Sequence, residues 1–367
     1  MRFLMLNWRD PRHPLAGGAE RVSLAYLQGL VQRGHDVSWF ANHFPGASDT
    51  EVVDGIHVAR GGGKFTAWLA ARRWARQQQP FDLVIDQHHG IPWYAPWWSN
   101  ARCVAYIHEV LGPIWGSFFP WPVSTVGRLQ ERWTLRRYRR VPFWAGCDFT
   151  CDALKALGVE TVHQISYGID TSALEELDDK LLEEPLRLIT VSRLAPNKRI
   201  DHALAALHIL REDHGIKAEL DIVGDGQEEP SLRRRAGELG LEDMVQFRGA
   251  LDEEEKDDAL RRAHFLVHTS VREGWGLNVT EANAMGTPAV VYPVPGLEES
   301  TWHGKTGWVT KTETPQAIAA ALAEALRQPD GYQHWRVAAR DRARELHWDN
   351  VLPDACDWLE AMARGEA

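Results

Sequence analysis

Residues 271–293 read VREGWGLNVTEANAMGTPAVVYP, and they are the most informative stretch of the chain. Two glutamates, Glu273 and Glu281, flank a glycine-rich loop that leads into a helix-like segment, and the apolar run at 289–291 is typical of a buried strand. A loop that opens a helix presents free backbone N–H groups, which suit a phosphate. An ionised glutamate only accepts hydrogen bonds, so it suits hydroxyl-rich groups. A phosphate that carries a sugar on each side is a nucleotide sugar, and the stretch predicts a site for one.

Length and composition describe a soluble globular protein. The chain has 367 residues, of which 44% are hydrophobic and 25% are charged, and this length is enough for two separate cores. No run approaches the roughly 18 apolar residues of a membrane span, and the start lacks the pattern of a cleaved signal peptide. The four cysteines match no metal-binding spacing and are too few for a disulfide scaffold, so we expect free thiols in the cytoplasm; they are Cys103, Cys147, Cys151 and Cys356.

Charge and tryptophan are distributed unevenly along the chain. Residues 1–168 hold 18 Lys and Arg against 13 Asp and Glu, whereas the remainder holds 23 against 38, which gives the net charge of −10. The basic part also contains 11 of the 17 tryptophans. This asymmetry indicates that only the first half faces an anionic surface. No nucleic-acid-binding motif accompanies the basic residues, so nucleic acid is not expected as a partner.

Strand and helix patterns alternate along the chain in two series. The first series begins with an apolar run at 3–7 and a helix pattern at 19–33, and the second begins at 186–191 and 201–212. Such alternation is typical of parallel sheets with helices on both faces. The predicted fold class is α/β, with two Rossmann-like doubly wound domains facing across a cleft. The predicted domains are residues 1–168 and 169–345, followed by a C-terminal helix at 346–367 that packs back toward the first domain.

Glu281 has a structural explanation as well as a functional one. Asn278 and Glu281 have the spacing of a capping box, in which Asn278 is the N-cap and Glu281 is the third helical residue. Capping and ligand binding therefore both remain open for Glu281. Glu273 lies in a glycine-flanked loop after a strand, where no cap explains it, so it is the stronger candidate for contact with a ligand.

Several other polar residues follow predicted strands, where ligands bind in such sheets. Arg193 and Lys198 suit a diphosphate, although a solvated charged loop would have the same composition. Gly224 lies in a G-x-G turn that lacks the third glycine of a dinucleotide-binding loop. His108 ends a first-half strand, although a lone histidine is more often structural. The run GGAE at 17–20 precedes the first helix and is either an anion or hydroxyl site or merely a flexible loop.

Together these motifs resemble family 4 of the retaining glycosyltransferases, which use nucleotide sugars and have the two-Rossmann-domain GT-B architecture. The resemblance covers nearly the whole chain. The second half carries most of it, with SRL…K at 192–198, VGDG at 223–226, FRG at 247–249 and EGWGLNVTEANAMGTPAVV at 273–291. The first half keeps GGAE at 17–20, His108 and YGID at 167–170. The chain departs from the family pattern at Tyr167, Trp275 and Asn278.

The resemblance implies a role for each matching residue. Glu281 would bind the ribose hydroxyls of the donor, and Glu273 would contact hydroxyls of the transferred sugar. The residues implied in catalysis are Glu273, His108, Arg193 and Lys198, of which the two cations would hold the diphosphate. The other residues implied in donor binding are Gly224, Arg248, Gly274, Trp275, Gly276 and Leu277. The residues implied on the acceptor and diphosphate side are Gly17, Gly18 and Glu20.

The implied reaction moves a hexose-type sugar from a UDP- or GDP-sugar to a saccharide with retention of configuration. Family members need no divalent metal and the sequence offers no metal cluster, so no metal and no other cofactor are expected. The resemblance favours substitution on the same face of the sugar, with the leaving phosphate taking the proton of the acceptor. Two alternatives stay open: a nucleotide-sugar epimerase of the same fold, and a non-catalytic subunit that binds a nucleotide sugar.

Two Arg-rich, helix-like segments of the first half bear on the acceptor. They are FTAWLAARRWARQQQ at 65–79 and GRLQERWTLRRYRR at 127–140, and aromatic loops lie between them at 91–98 and 113–123. Basic helices with aromatic residues suit an anionic membrane surface, although core tryptophans beside solvated arginines would give the same pattern. We expect a peripheral location on the cytoplasmic face of the membrane. The expected acceptor is a lipid-linked saccharide of a cell-surface polysaccharide or glycoconjugate.

Overall fold

The computed structural model describes residues 1–63 and 66–366. The chain divides into two compact units: unit 1 comprises Met1–Gly168 with Trp348–Ala367, and unit 2 comprises Ile169–His347. Each unit is a mainly parallel sheet with helices, so the predicted fold class of two Rossmann-like α/β domains is confirmed.

Unit 1 is built around an eight-stranded sheet. In chain order its elements are β1 (Arg2–Leu6), α1 (Gly18–Gln32), β2 (Asp36–Ala41), β3 (Thr50–Val53), β4 (Ile56–Arg60), α2 (Ala67–Ala75), β5 (Leu83–His88), β6 (Arg102–Ile107), α3 (Trp115–Phe118), α4 (Val123–Tyr138), β7 (Phe143–Ala145), α5 (Asp148–Ala156) and β8 (Val162–Gln164). The strand order is β3-β4-β2-β1-β5-β6-β7-β8. The strands pair in parallel apart from the β3–β4 hairpin, whose turn residues Asp54 and Gly55 both have positive φ, as the tightest hairpin turns require.

Unit 2 is built around a six-stranded parallel sheet. Its elements are β9 (Leu186–Val191), α6 (Ile200–Glu212), β10 (Ala218–Val223), α7 (Glu229–Glu238), β11 (Val245–Gly249), α8 (Glu253–Arg262), β12 (Phe265–His268), α9 (Leu277–Ala284), β13 (Ala289–Val291), α10 (Pro295–Ser300), β14 (Gly307–Val309), α11 (Pro315–Leu326) and α12 (Tyr332–Glu345). The strand order is β11-β10-β9-β12-β13-β14. The chain therefore runs outward from β9 and then returns to place β12 on its other side. This reversal is a topological switch point, where ligands bind in open α/β sheets.

The last helix, α13 (Trp348–Arg364), belongs to unit 1 and packs on α1. The Trp348 ring meets the ring of Tyr26 edge to face, with 5.1 Å between centroids. Arg33, just after α1, donates a hydrogen bond of 2.6 Å to Asp357. The final helix thus completes the core of the unit that contains the N-terminus.

The two Arg-rich segments differ in how they use their tryptophans. In α2 the half-buried Trp74 ring packs against Phe40 and Phe81, at centroid distances of 5.5 and 6.2 Å, and so lies against the core, while Trp68 is 40% exposed. Phe65, the first residue of that predicted segment, lies outside the described residues. In α4, by contrast, Trp133 is exposed. Within the described residues, no helix combines the length and apolar character needed to cross a bilayer.

Candidate functional site

The centre of the candidate site is an ion pair at the switch point of unit 2. Lys198 follows β9 and Glu273 follows β12, and these are the two neighbouring strands between which the strand order reverses. The Lys198 ammonium donates a hydrogen bond to Oε1 of Glu273. Both side chains are largely buried, with 16% and 17% of their surface exposed. The structure therefore brings together two of the residues that the sequence singled out.

Hydrogen bonds join the two loops that carry this pair. The Thr269 hydroxyl lies 3.0 Å from the carbonyl oxygen of Lys198 and 2.8 Å from that of Arg199. The Arg199 guanidinium donates in return to the carbonyl oxygens of Thr269 and Ser270, at 3.0 and 3.1 Å. Because each loop is bonded to the other beside the pair, the positions of Lys198 and Glu273 are fixed by the fold.

Polar groups around Glu273 keep its carboxylate ionised. Burial acts to raise the pKa of Glu273, but the nearby charges, that of Lys198 among them, and hydrogen bonds from Lys198 and Ser270 outweigh it and hold the pKa below its usual value. The Ser270 hydroxyl donates to Oε1 at 2.8 Å. His268 Nε2 lies 3.4 Å from the same oxygen, and burial lowers the pKa of His268 to about 4, so this ring is neutral at pH 7. Sequence reasoning missed Ser270 and His268, because single polar residues at a strand end carry no spacing signal.

The helix after Glu273 begins differently from the sequence expectation. The N-cap of α9 is Gly276, with a left-handed φ of 89°, and Glu281 is the fifth helical residue. Asn278 therefore does not cap this helix, so the structural alternative for Glu281 does not hold; the Asn278 side-chain amide instead donates a hydrogen bond of 2.7 Å to the carbonyl oxygen of Val191 at the end of β9. The first N–H groups of a helix have no acceptor within it. Because α9 begins shortly after β12, its first N–H groups lie at the switch point, close in sequence to Glu273.

Glu281 is paired with a lysine from the preceding helix. Nζ of Lys256, in α8, lies 3.4 Å from Oε2 of Glu281, and the two side chains are 9% and 11% exposed. Lys256 also donates a hydrogen bond of 2.6 Å to Glu253. Burial acts to lower the pKa of Lys256, but the charge of Glu281 and the contact with Glu253 raise it above its ordinary value. The sequence did not indicate Lys256, because the segment EEEKDD around it is typical of a solvated helix face.

The other predicted donor-binding residues lie on neighbouring loops. Arg193 is exposed, and within residues 1–63 and 66–366 its guanidinium forms no ion pair. Arg248, near the end of β11, donates a hydrogen bond of 3.1 Å to Asp221. Gly224 has a φ of 122°, and a Cβ there would lie 2.0 Å from the carbonyl oxygen of Ser192. This close approach explains the glycine, since it lets the loop after β10 pack on the loop that carries Arg193.

Trp275 points into the interior of unit 2. Only 4% of the residue is exposed, and its indole N–H donates a hydrogen bond of 3.1 Å to the Thr280 hydroxyl. Contact between a donor and position 275 would therefore involve the backbone.

In unit 1, His108 lies just beyond the end of β6 with both ring nitrogens engaged. Nε2 is 2.8 Å from the side-chain amide nitrogen of Gln87, and Nδ1 is 2.9 Å from the Tyr167 hydroxyl. Burial, together with the charge of His89, lowers the pKa of His108 to about 3, so the ring is neutral. If Gln87 donates to Nε2, then Nδ1 carries the proton and donates to Tyr167; this assignment follows from the bonding pattern. Tyr167, a departure from the family pattern, thus fixes the orientation of His108.

The GGAE run forms the start of α1. Gly17 is the N-cap, and its backbone N–H donates a hydrogen bond of 2.7 Å to the carboxylate of Glu20, a buried residue. The carboxylate thus stabilises the positive end of the helix. An anion bound beside Gly17 and Gly18 would have to share this helix end with Glu20.

The described residues contain no group of three His, Cys, Asp or Glu side chains arranged to hold a metal ion. The charged groups of the candidate site are Lys198, Arg193, Glu273, Glu281 and Lys256. They offer cations for a phosphate and carboxylates for hydroxyl groups.

Two family models match the chain and together span most of it. Glycosyltransferase Family 4 matches residues 16–173, and Glycosyl transferases group 1 matches residues 175–342. The chain belongs to the glycosyltransferase family whose two domains these models describe. It is therefore an enzyme that acts on nucleotide sugars, and the predicted family is confirmed.

Individual relatives agree with this assignment. Glycogen synthase of Mycobacterium tuberculosis is 27% identical over an alignment of 406 residues. The alignment covers 100% of this chain and 96% of that protein. Among solved structures, sucrose-phosphate synthase from Thermosynechococcus elongatus has a TM-score of 0.80 at 18% identity and covers 99% of both chains. Anabaena HepE in complex with UDP-glucose has a TM-score of 0.74 at 18% identity and covers 98% of this chain and 100% of its own. At this identity the two structures show a shared fold.

Proposed function

We propose that the enzyme transfers a hexose-type sugar from a UDP- or GDP-sugar to a lipid-linked saccharide, with retention of configuration and without a metal ion. The observation that carries the proposal is the Lys198–Glu273 pair at the switch point of unit 2, beside the start of α9. This arrangement combines a cation and free N–H groups for a diphosphate with a carboxylate for sugar hydroxyls.

The donor occupies the carboxyl edge of the unit 2 sheet in this proposal. The diphosphate lies at the start of α9, near Gly276 and Leu277, where Lys198 and Arg193 supply positive charge. Glu273 accepts hydrogen bonds from the sugar being transferred. Glu281, in the second turn of α9 and held by Lys256, accepts hydrogen bonds from the ribose. That HepE was solved with UDP-glucose supports a uridine donor.

The transfer step follows from the charges that develop. The acceptor hydroxyl attacks the anomeric carbon as the bond from that carbon to the phosphate oxygen breaks, and the hydroxyl proton passes to the leaving phosphate. Lys198, Arg193 and the helix N–H groups oppose the negative charge on the diphosphate, and such preorganised electrostatics is usually the largest catalytic term. Glu273 is bound by Lys198 and Ser270, which makes its carboxylate a poor nucleophile. Attack on the same face as departure therefore accounts best for retention.

The acceptor is assigned to the basic half of the chain. Residues 1–168 carry five more positive than negative side chains, 18 against 13, which suits an anionic carrier such as a lipid diphosphate. We place the reaction in the cytoplasm, at the inner surface of the membrane, in the synthesis of a cell-surface polysaccharide or glycoconjugate.

A thermal-shift screen with UDP, GDP and ADP and their sugars tests the donor assignment. A ligand at 100 times its dissociation constant stabilises a protein by about 2.7 kcal/mol, so the true nucleotide should raise the melting temperature clearly. We expect UDP or GDP to do so, and Lys198→Ala to reduce the shift. No shift with any nucleotide would refute the donor site, and a shift with ADP alone would refute the choice of base.

A further inference from the structure

Helix α4 of unit 1 exposes a row of large apolar side chains to solvent. Val126, Leu129 and Trp133 are 62%, 61% and 53% exposed, and their spacing of three and four residues places them on one face of the helix. Trp121 and Val123, at the start of the helix, extend the row and are 81% and 50% exposed. Single exposed apolar residues are ordinary, but a continuous row marks an interaction surface.

This row lies on the face of α4 opposite to the one that anchors the helix. The anchoring residues Gly127, Glu131 and Tyr138 are buried. The Glu131 carboxylate accepts hydrogen bonds of 2.8 and 2.7 Å from the N–H groups of Leu111 and Gly112. Because α4 already has its own packed face, the exposed row is not an unfinished part of the core.

Exposed arginines surround the apolar row. They are Arg128, Arg132, Arg136, Arg137, Arg139 and Arg140. The Arg137 guanidinium lies 5.4 Å from the centre of the Trp133 ring, in cation–π geometry. Glu131 is the only acidic residue between positions 110 and 147, and it is buried. The surface is therefore both apolar and strongly cationic.

The chemistry of this surface favours a bilayer over a protein partner. A second copy of the chain, docked symmetrically on α4, would bring two sets of arginines together without compensating acids. At a bilayer, the apolar row can enter the boundary between headgroups and acyl chains. The arginine stems can then lie along it while their guanidinium groups bind phosphates.

We propose that the α4 surface, formed by Trp121, Val123, Val126, Leu129 and Trp133 with the exposed arginines from Arg128 to Arg140, docks on an anionic phospholipid bilayer. It deepens the proposed peripheral location and rests on that part of the proposed function. It selects α4 over α2, where Trp74 packs against the core and where Trp68 and Leu69, at 40% and 38%, are less exposed than the side chains of the α4 row. Sugar transfer to a soluble acceptor does not depend on it.

Vesicle co-sedimentation at low salt tests the assignment. The wild-type protein should sediment with vesicles of equal parts phosphatidylglycerol and phosphatidylcholine, and not with phosphatidylcholine alone. The double variant Leu129→Glu/Trp133→Glu should lose binding. At about fivefold in affinity per arginine near such a surface, the triple variant Arg128→Gln/Arg132→Gln/Arg136→Gln should bind on the order of 100-fold more weakly. Trp302→Ala removes a 43% exposed tryptophan from unit 2 and should leave binding unchanged.

Circular dichroism and nucleotide affinity show whether the variants stay folded, because all substituted side chains of α4 are exposed. Absence of wild-type binding to the anionic vesicles would overturn the proposal. Binding by both α4 variants as strong as that of the wild-type protein would also overturn it. A wild-type dimer that Leu129→Glu/Trp133→Glu dissociates would also overturn it, because the surface would then be an interface between copies. Retained nucleotide binding in any of these cases would leave the proposed sugar transfer standing.

Discussion

The substitution Lys256→Met removes the positive charge next to Glu281. The two charged groups are 3.4 Å apart and about nine-tenths buried, so solvent and salt screen them weakly. At an effective dielectric constant of ~20, charges at this distance attract by roughly 5 kcal/mol before the cost of dehydration is subtracted. The net loss of stability is smaller, because methionine, unlike the lysine ammonium, can be buried without a dehydration cost.

Loss of one member of a buried pair typically costs about 3–5 kcal/mol. We expect the lower end, about 3 kcal/mol, because the other partner, Glu253, is 65% exposed and can turn to water. Without its counter-charge, the buried Glu281 carboxylate is unfavourable where it now lies, so we expect this side chain to move from its present position. Nucleotide affinity should therefore fall by about tenfold, or ~1.4 kcal/mol, and Lys256→Arg should restore part of it.

Thermal unfolding with and without the nucleotide, together with calorimetric titration, measures both effects. For a domain of this size, 3 kcal/mol corresponds to a lower melting temperature by roughly 6–12 °C. The control is Lys311→Met, since Lys311 is an exposed lysine of the same unit. If Lys256→Met kept the melting temperature and the nucleotide affinity of the control, the ion pair would neither stabilise unit 2 nor position Glu281.

Two further predictions concern stability. Gly224→Ala places a Cβ 2.0 Å from a carbonyl oxygen at a φ of 122° and should destabilise unit 2 by at least about 2 kcal/mol; Gly215→Ala, with positive φ but open space, should cost less in urea unfolding, and equal costs would contradict this. Burial lowers the pKa of His88 to about 3 and of His268 to about 4, so the stability present above pH 6.5 should be lost as pH falls toward these values, by about 2 kcal/mol per histidine at pH 5. Asp86, whose pKa burial raises to about 6, opposes this by about 1 kcal/mol. Urea midpoints at pH 7 and pH 5 measure the balance, and a higher midpoint at pH 5 would contradict it.

The fold could be predicted from the sequence because parallel strands are short apolar runs between recognisable loops. The runs at 186–191 and 289–291 coincide with β9 and β13. The β3–β4 hairpin was not predicted, although its turn, Asp54-Gly55, is a strong hairpin signal. The strands around that turn carry the polar residues Glu51, His57 and Arg60 among their apolar ones, which obscured their pattern.

The site could be predicted only as far as loop positions allow. Glu273 and Lys198 stood out because each follows a strand, but their direct contact depends on the strand order, which the sequence does not state. Of the two alternatives for Glu281, the capping box with Asn278 is absent, because Gly276 adopts the left-handed conformation that starts α9. The Asn278 amide is then available for its hydrogen bond to β9. Lys256 could not be identified from the sequence, because the composition of a charged segment does not show which of its residues is buried.

The proposed function depends above all on contact between Glu273, held by Lys198, and the sugar that is transferred. The most direct measurement is the rate of sugar transfer by Glu273→Gln, with nucleotide affinity determined on the same sample. We expect transfer at least about 100-fold slower than wild type, with nucleotide affinity close to that of wild type and of the exposed control Glu254→Gln. Transfer at the wild-type rate by Glu273→Gln would show that this carboxylate has no role in the transfer step.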